Sequence, residues 1–174
     1  MASDPSQPVV PVVPVVLPTG RFTGREAFAQ RVRDAFACAA QQGWREIIIS
    51  DATFEDWPLH ERLVVESLQS WAKAGRRFTM LAQRYDAVAR DKARFVVWRK
   101  TWGHIVECRT YRNLDPLDFP SVIWTPAWTL RRLDLFRSTG TCSVAPDHRV
   151  QIREVLDELV LGSSPGFAAS VLGL

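Results

Sequence analysis

The isoleucine run in REIIIS, residues 45–50, constrains the fold of this chain more than any other stretch. Consecutive β-branched residues without polar alternation are typical of a short strand that is buried on both faces. Apolar residues at helical spacing precede it at Phe28, Val32, Phe36 and Ala39, and follow it at Leu59, Leu63, Leu68, Trp71 and Ala72. A doubly buried strand between two amphipathic helices predicts a layered α/β domain.

The same pattern continues along the chain. Further strands are predicted at 76–83, 104–111, 121–124 and 129–136, the last as an edge strand. A third helix is expected over 85–102, and a last helix carries its apolar face on Ile152, Val155, Leu156, Leu159 and Val160. The order α-β-α-β-α-β-β-β-α predicts one α/β domain with a mixed, mainly parallel sheet flanked by helices, because strand–helix–strand units place their strands in parallel.

Local signals mark where the helices begin. Thr23 and Glu26 have the spacing of a capping box, and Asp147 is a candidate N-cap for the last helix. Pro58 is favourable in the first turn of the second helix. Gly43 is placed to end the first helix, and STGT at 138–141 indicates a turn.

The ends of the chain differ from its middle. PVVPVVPVVLP at 8–18 repeats Pro-Val-Val, which excludes a helix and predicts an extended conformation near polyproline II. We therefore expect a leader over 1–20, either free or docked on a protein surface. The single domain would cover 21–174, with a small-residue tail from about 162.

Cys38, Cys108 and Cys142 are isolated in the sequence, with neither the pairing of a disulfide framework nor the spacing of a zinc knuckle. Free buried thiols are typical of a reducing compartment. The N-terminus lacks the basic segment of a signal peptide, and no apolar stretch is long enough to span a bilayer. We expect a cytoplasmic protein without a membrane span.

The positive charge is concentrated in residues 76–112. The whole chain has 22 Lys and Arg against 19 Asp and Glu, a net charge of +3. Residues 76–112 hold ten of the basic and three of the acidic side chains, so this segment alone carries +7 and the remainder −4. Such asymmetry indicates an anion-binding patch or, alternatively, the solvated face of a helix.

The aromatic residues of the predicted third helix have a helical period. Tyr85, Val88, Phe95, Trp98 and Trp102 stand three to seven residues apart, so they share one face. We expect that face to be core, with the neighbouring Arg and Lys side chains in water.

Known catalytic motifs are incomplete. HERLV at 60–64 begins like a zinc-protease motif but has valine where the second histidine belongs. GSSPG at 162–166 follows a predicted helix, and no acid or histidine comes after it, which excludes a nucleophile elbow. Neither a dinucleotide fingerprint nor a P-loop is present. We predict no cofactor and no metal site.

A few polar residues remain as site candidates. Ligands of open α/β sheets bind outside the carboxyl ends of the strands, where Asp51 is a catalytic candidate. Arg84, Arg109 and Arg112 are candidate anion ligands at the same ends. His104 is the best proton-transfer candidate because the imidazole pKa lies near neutrality. A structural role in ion pairs or capping is the alternative for Asp51.

Two strings carry a family resemblance. D-x-x-F-x-D-W-P-L begins at Asp51 and R-F-x-x-W-R-x-x-W-x-H begins at Arg94. With the segment that joins them and the closing FAASVLGL, they resemble an uncharacterised family of small proteobacterial, mainly betaproteobacterial, proteins. That resemblance supplies no activity.

The element order also resembles one half of a phospholipase D-like domain, a fold that works as paired halves or a homodimer. Active members need H-x-K-x-x-x-x-D. Here Arg62, Val106 and Val150 stand two residues after the three histidines, so the resemblance implies the fold without the phosphodiesterase chemistry.

Three hypotheses for function follow. The first is a non-catalytic domain that acts through self-association or an unidentified protein partner. The second is phosphate or nucleic-acid binding by the basic 76–112 surface. The third is an uncharacterised enzyme, which requires Asp51 and His104 to meet in one cleft.

Overall fold

The computed structural model describes residues 13–168, which form an α/β domain around a single sheet. The strands are β1 (Gly20–Phe22), β2 (Glu46–Ser50), β3 (Arg77–Ala82), β4 (Val106–Thr110), β5 (Ser121–Trp124), β6 (Thr129–Asp134), β7 (Thr139–Ser143) and β8 (Ser164–Pro165). The helices are α1 (Arg25–Gln42), α2 (Arg62–Ala72), α3 (Asp86–Asp91), α4 (Ala93–Thr101) and α5 (Pro146–Leu161). Across the sheet the strand order is β1-β7-β6-β5-β2-β3-β4-β8.

The expectation of a mainly parallel sheet is wrong. Within the described chain, only β2–β3 and β3–β4 are parallel, and the other five pairs are antiparallel. Helices join β2 to β3 and β3 to β4, and such crossovers keep strands parallel. After β4 the chain has no helix before β5, β6 and β7, which follow one another as antiparallel neighbours.

Two hydrophobic cores lie on the two faces of the sheet. Ile47 and Ile49 belong to the larger core, under α1, α2, α3 and α4, whereas Ile48 belongs to a smaller core that includes Leu156 of α5. Alternate side chains of a strand point to opposite faces. The prediction of a strand buried on both faces at 45–50 is therefore confirmed.

The third predicted helix is interrupted. Lys92 has non-helical angles, φ −116° and ψ 47°, and separates α3 from α4. Its buried Nζ donates to the Glu55 carbonyl oxygen at 3.1 Å and lies 3.3 Å from Nδ1 of His60. Because a buried ammonium needs polar partners, we attribute the break to these tertiary contacts. Burial also lowers the pKa of Lys92.

The aromatic face of this region points inward as expected. Tyr85, Val88, Phe95 and Trp98 are buried in the larger core, and Trp102 packs against it half-buried. Trp98 is only 2% exposed. The tryptophans therefore do not form an exposed stacking surface.

The predicted helix starts are not confirmed. Gly24, with φ 98°, is the N-cap of α1, and its N–H donates to the Ser138 carbonyl, so Thr23 does not cap. Ala145 precedes α5, and Asp147 makes no capping hydrogen bond. α2 begins at Arg62 rather than at Pro58.

The later strands also differ from expectation. β6 is not an edge strand, since it lies between β5 and β7. The turn predicted at 138–141 lies earlier in the chain, at 135–138, and Thr139–Ser143 form β7. β7 has few large apolar residues, because its inward positions are Gly140 and Cys142, and so it lacks the usual strand pattern.

Part of the leader contacts the domain. Residues 13–19 have no regular structure, but the Val15 N–H donates to Oε1 of Gln41, and Nε1 of Trp128 donates to the Pro18 carbonyl. Leu17 packs against the larger core. Residues 1–12 and the tail beyond Ala168 lie outside the described residues.

Candidate functional site

An open cleft of about 900 Å³ lies along the outer edge of β4. The charged and imidazole side chains that line it are Arg76, Arg77, Arg99, His104, Glu107 and Arg109, and this set is called the basic cleft below. Among residues 13–168, four arginines therefore face a single carboxylate in this cleft.

The topology brings these side chains together. Arg76 and Arg77 stand at the start of β3, and His104 stands in the turn that leads into β4. Because β3 and β4 are parallel neighbours, their amino ends share one edge of the molecule. Arg99 comes from α4, the helix that precedes this turn.

Two of the arginines are held in place by hydrogen bonds. Arg99 is 6% exposed and donates from Nη1 to the Val106 carbonyl at 2.9 Å and from Nη2 to the Phe167 carbonyl at 3.3 Å. Within residues 13–168 its buried Nε has no hydrogen-bond partner. Arg109 donates to both oxygens of Ser163 at 2.8 Å. These guanidinium groups are thus ordered before any ligand binds.

The remaining cations of the basic cleft face solvent. Arg76, Arg77 and His104 are exposed. Glu107 lies between Arg77, at 3.4 Å, and Arg109, at 3.6 Å, so one carboxylate is shared by two arginines. The cleft keeps an excess of positive charge that an anion would neutralise.

Cys108 lies in the wall of the basic cleft but is not a reactive thiol. Burial raises the pKa of Cys108 to about 11, although Arg99 opposes the shift. A thiol with that pKa stays protonated near neutral pH and is a poor nucleophile. The chemistry of the cleft is therefore that of its arginines.

The three predicted anion ligands do not share one cavity. Arg84 and Arg112 are exposed and line a neighbouring cavity of about 530 Å³, whereas Arg109 lies in the basic cleft. Pro165, Gly166 and Phe167 line both cavities and so separate them. The basic segment 76–112 includes Arg76, Arg77 and Arg99, but the sequence did not single out any of the three as an anion ligand. The amino ends of two parallel strands were the signal that could have identified the first two.

Asp51 lies in a different place. It follows β2 and lines a cavity of about 470 Å³ together with Arg25, Asp56 and Arg132. One carboxylate oxygen accepts from Nη2 of Arg132 at 2.9 Å, and the other accepts from the backbone N–H groups of Thr53 and Phe54. Both oxygens of Asp51 thus have hydrogen-bond partners. This arrangement matches the alternative that the sequence offered for Asp51, a structural role in an ion pair.

The structure does not bring His104 to Asp51. Asp51 is at the carboxyl end of β2, while His104 precedes the amino end of β4, and both strands are parallel to β3. The two residues are therefore at opposite ends of the sheet and line different cavities. The ring of His104 lies 5.8 Å from that of Trp102. The enzyme hypothesis requires Asp51 and His104 to lie in one cleft, and the structure places them in two different cavities.

Neither a metal cluster nor a membrane span is found in residues 13–168. No group of three His, Cys, Asp or Glu side chains there is arranged to hold a metal ion. No helix in that part of the chain has the length and apolar character needed to cross a bilayer.

Comparison with known proteins gives similarity in fold. No protein-family model matches the sequence, and no curated protein matches it. Among solved structures, the chain is similar to TrmBL2, an archaeal chromatin protein whose structure is described as showing a novel mode of DNA binding. The TM-score is 0.64 at 15% identity, over 91% of this chain and 57% of that one. The resemblances to the betaproteobacterial family and to a phospholipase D-like half stay predictions, and what the comparison adds is a shared α/β fold.

Proposed function

We propose that this domain binds the phosphate backbone of nucleic acid in the basic cleft. The observation that carries the proposal is the charge of the cleft: four arginines against one glutamate leave three positive charges, as many as the net +3 of the whole chain. Arginine is well suited to phosphate because its planar guanidinium offers paired donors.

The arrangement favours phosphate contacts over base stacking. None of the seven tryptophans is exposed, so a row of bases would find no tryptophan platform on which to stack. Arg99 and Arg109 are ordered by hydrogen bonds, while Arg76 and Arg77 remain exposed and adaptable. Contacts of this kind position a nucleic acid without reading its sequence.

The similarity to TrmBL2 is compatible with the proposal. That protein is described as binding DNA, but an identity of 15% over 57% of its length carries only the fold to this chain. The support for nucleic-acid binding therefore comes from the charges of the basic cleft.

The test is fluorescence anisotropy of labelled duplex DNA with the full chain, from about 50 mM to about 200 mM salt. We expect binding at low salt that weakens steeply as salt rises, because bound phosphates release counterions. The double substitution Arg76→Ala with Arg77→Ala should reduce affinity at least about tenfold and lower the salt slope by about two, one for each lost phosphate contact.

A matched control removes the same charge elsewhere. Arg25 and Arg137 are exposed and lie outside the basic cleft, so Arg25→Ala with Arg137→Ala should leave affinity close to that of the unmodified chain. No binding at low salt, or an equal loss in both double variants, would overturn the proposal.

A further inference from the structure

One face of the sheet is only half covered. α5 packs through Leu156 on Ile48, Leu81 and Val122, at the centre of the sheet. The register places Arg21 of β1, Thr141 of β7, Arg131 of β6 and Val122 of β5 in one row across the sheet, on the face that α5 occupies. α5 makes its main sheet contacts with β5, and toward β6 and β7 its Ile152 and Val155 only border a groove that Arg131 and Thr141 also line.

Arg21, Arg131 and Thr141 of this row, together with Leu133, which lines the same groove as Arg131 and Thr141, are called the open strip. Leu133 is 64% exposed, which is unusual for a large apolar residue in the interior of a sheet. Arg21 and Arg131 are exposed, and within residues 13–168 neither takes part in an ion pair. A groove of about 360 Å³ separates the strip from α5. The open strip thus combines one exposed leucine with two exposed arginines.

The outward side of α5 has the complementary character. Helical spacing aligns Asp147, Val150, Glu154, Glu158 and Leu161 on the side opposite Leu156, and this set is called the outer row. Val150 is 55% exposed and Leu161 is 87% exposed. None of the three carboxylates forms an ion pair within the described chain. The outer row therefore combines unpaired negative charge with exposed apolar side chains.

We propose that a second copy of this chain covers the open strip. Two copies that meet face to face about a two-fold axis would each lay the outer row of α5 on the open strip of the other. Every contact would then be made twice, as in the isologous interfaces of most homodimers. Arginines would meet carboxylates, and Leu133 would meet Val150 or Leu161.

The described part of the leader does not compete for this surface. Leu17 packs into the core beneath α1–α4, and Trp128, which also belongs to that core, binds the Pro18 carbonyl. Residues 13–18 therefore contact the opposite face of the sheet. The open strip is also remote from the basic cleft, since β1 and β4 lie near opposite edges.

The test is sedimentation equilibrium of the full chain over a range of concentrations. The unmodified chain should be in monomer–dimer equilibrium. Reversing the charge of the open strip, with Arg21→Glu and Arg131→Glu, should lower the affinity of the dimer at least about tenfold. Like charges would then face each other across the interface. Reversing the charge of the outer row, with Glu154→Arg and Glu158→Arg, should lower the affinity of the dimer by a similar factor. The combination of all four substitutions should restore association, because opposite charges face again.

Controls separate this interface from a general effect of charge. Arg84→Glu with Arg112→Glu makes the same change of net charge away from the strip and should leave the dimer intact. Circular dichroism would verify that each variant is folded. A strictly monomeric unmodified chain, a dimer that neither reversal weakens, or a fourfold variant that stays monomeric would each contradict the proposal.

Discussion

At the scale of single residues, Arg132 is the side chain whose role the sequence concealed. In TLRRLD, at 129–134, it is one of two adjacent arginines that no motif singles out. In the structure Arg132 occupies an inward position of β6, donates to Asp51 and Asp56, and stacks over the Phe28 ring at 4.0 Å from its centroid. Its side chain is 2% exposed, so the guanidinium depends on these partners.

Replacing Arg132 should destabilise the domain strongly. Arg132→Met keeps an apolar side chain of similar length but leaves the buried Asp51 carboxylate without its counter-ion. The expected loss is about 3–5 kcal/mol in the free energy of unfolding, the cost of an unpaired buried charge. Urea denaturation followed by tryptophan fluorescence would measure it.

The control for this substitution is Arg137→Met. Arg137 is exposed, so its replacement should change the free energy of unfolding by no more than about 0.5 kcal/mol. If Arg132→Met also lost less than about 1 kcal/mol, Asp51 would have to gain hydration in the variant, and the pair would not be essential to the fold.

At the scale of elements, the second helix was predicted correctly, but one residue of its predicted buried face is exposed. The stripe predicted through Leu63, Leu68 and Trp71 is right for the last two, which are fully buried. Leu63 is 73% exposed, and Val64 takes the buried position. The helix begins at Arg62, after a turn that buries Leu59 outside the helix. Leu59 therefore does not belong to the helical stripe, which begins at Val64 instead of Leu63.

The exposed position of Leu63 has a measurable consequence in stability. Leu68→Ala should cost about 2–5 kcal/mol because it leaves a cavity in a packed core. Leu63→Ala should cost no more than about 0.5 kcal/mol because its side chain is already in water. Urea denaturation of both variants compares the same chemical change at two positions, and equal losses would contradict the observed register.

At the scale of the whole molecule, the sheet has a centre and two weak edges. β2 and β3 each pair with a strand on both sides and carry almost wholly buried side chains. β1 has three residues and β8 two, and each pairs with one neighbour. Local opening should therefore be easiest at the edges.

Hydrogen exchange followed by mass spectrometry would test this gradient. Amides of β2 and β3 should exchange only through global unfolding, whereas amides of β1 and β8 should exchange by local opening and lose protection earlier. Low concentrations of urea should accelerate exchange in β2 and β3 more than at the edges. Equal protection of β1 and β3 would show that the sheet opens as a unit.

The amino-acid sequence by itself determined the α/β class, the doubly buried strand at 45–50 and the inward aromatics Phe95 and Trp98. Local periodicity reports which side of an element is apolar, and burial follows from that. Tertiary structure alone decided the antiparallel half of the sheet, the helix break at Lys92 and which arginines meet in the basic cleft. The partners in these cases are distant in the chain, as with Arg99 and Phe167 or Arg132 and Asp51, so no local pattern specifies them.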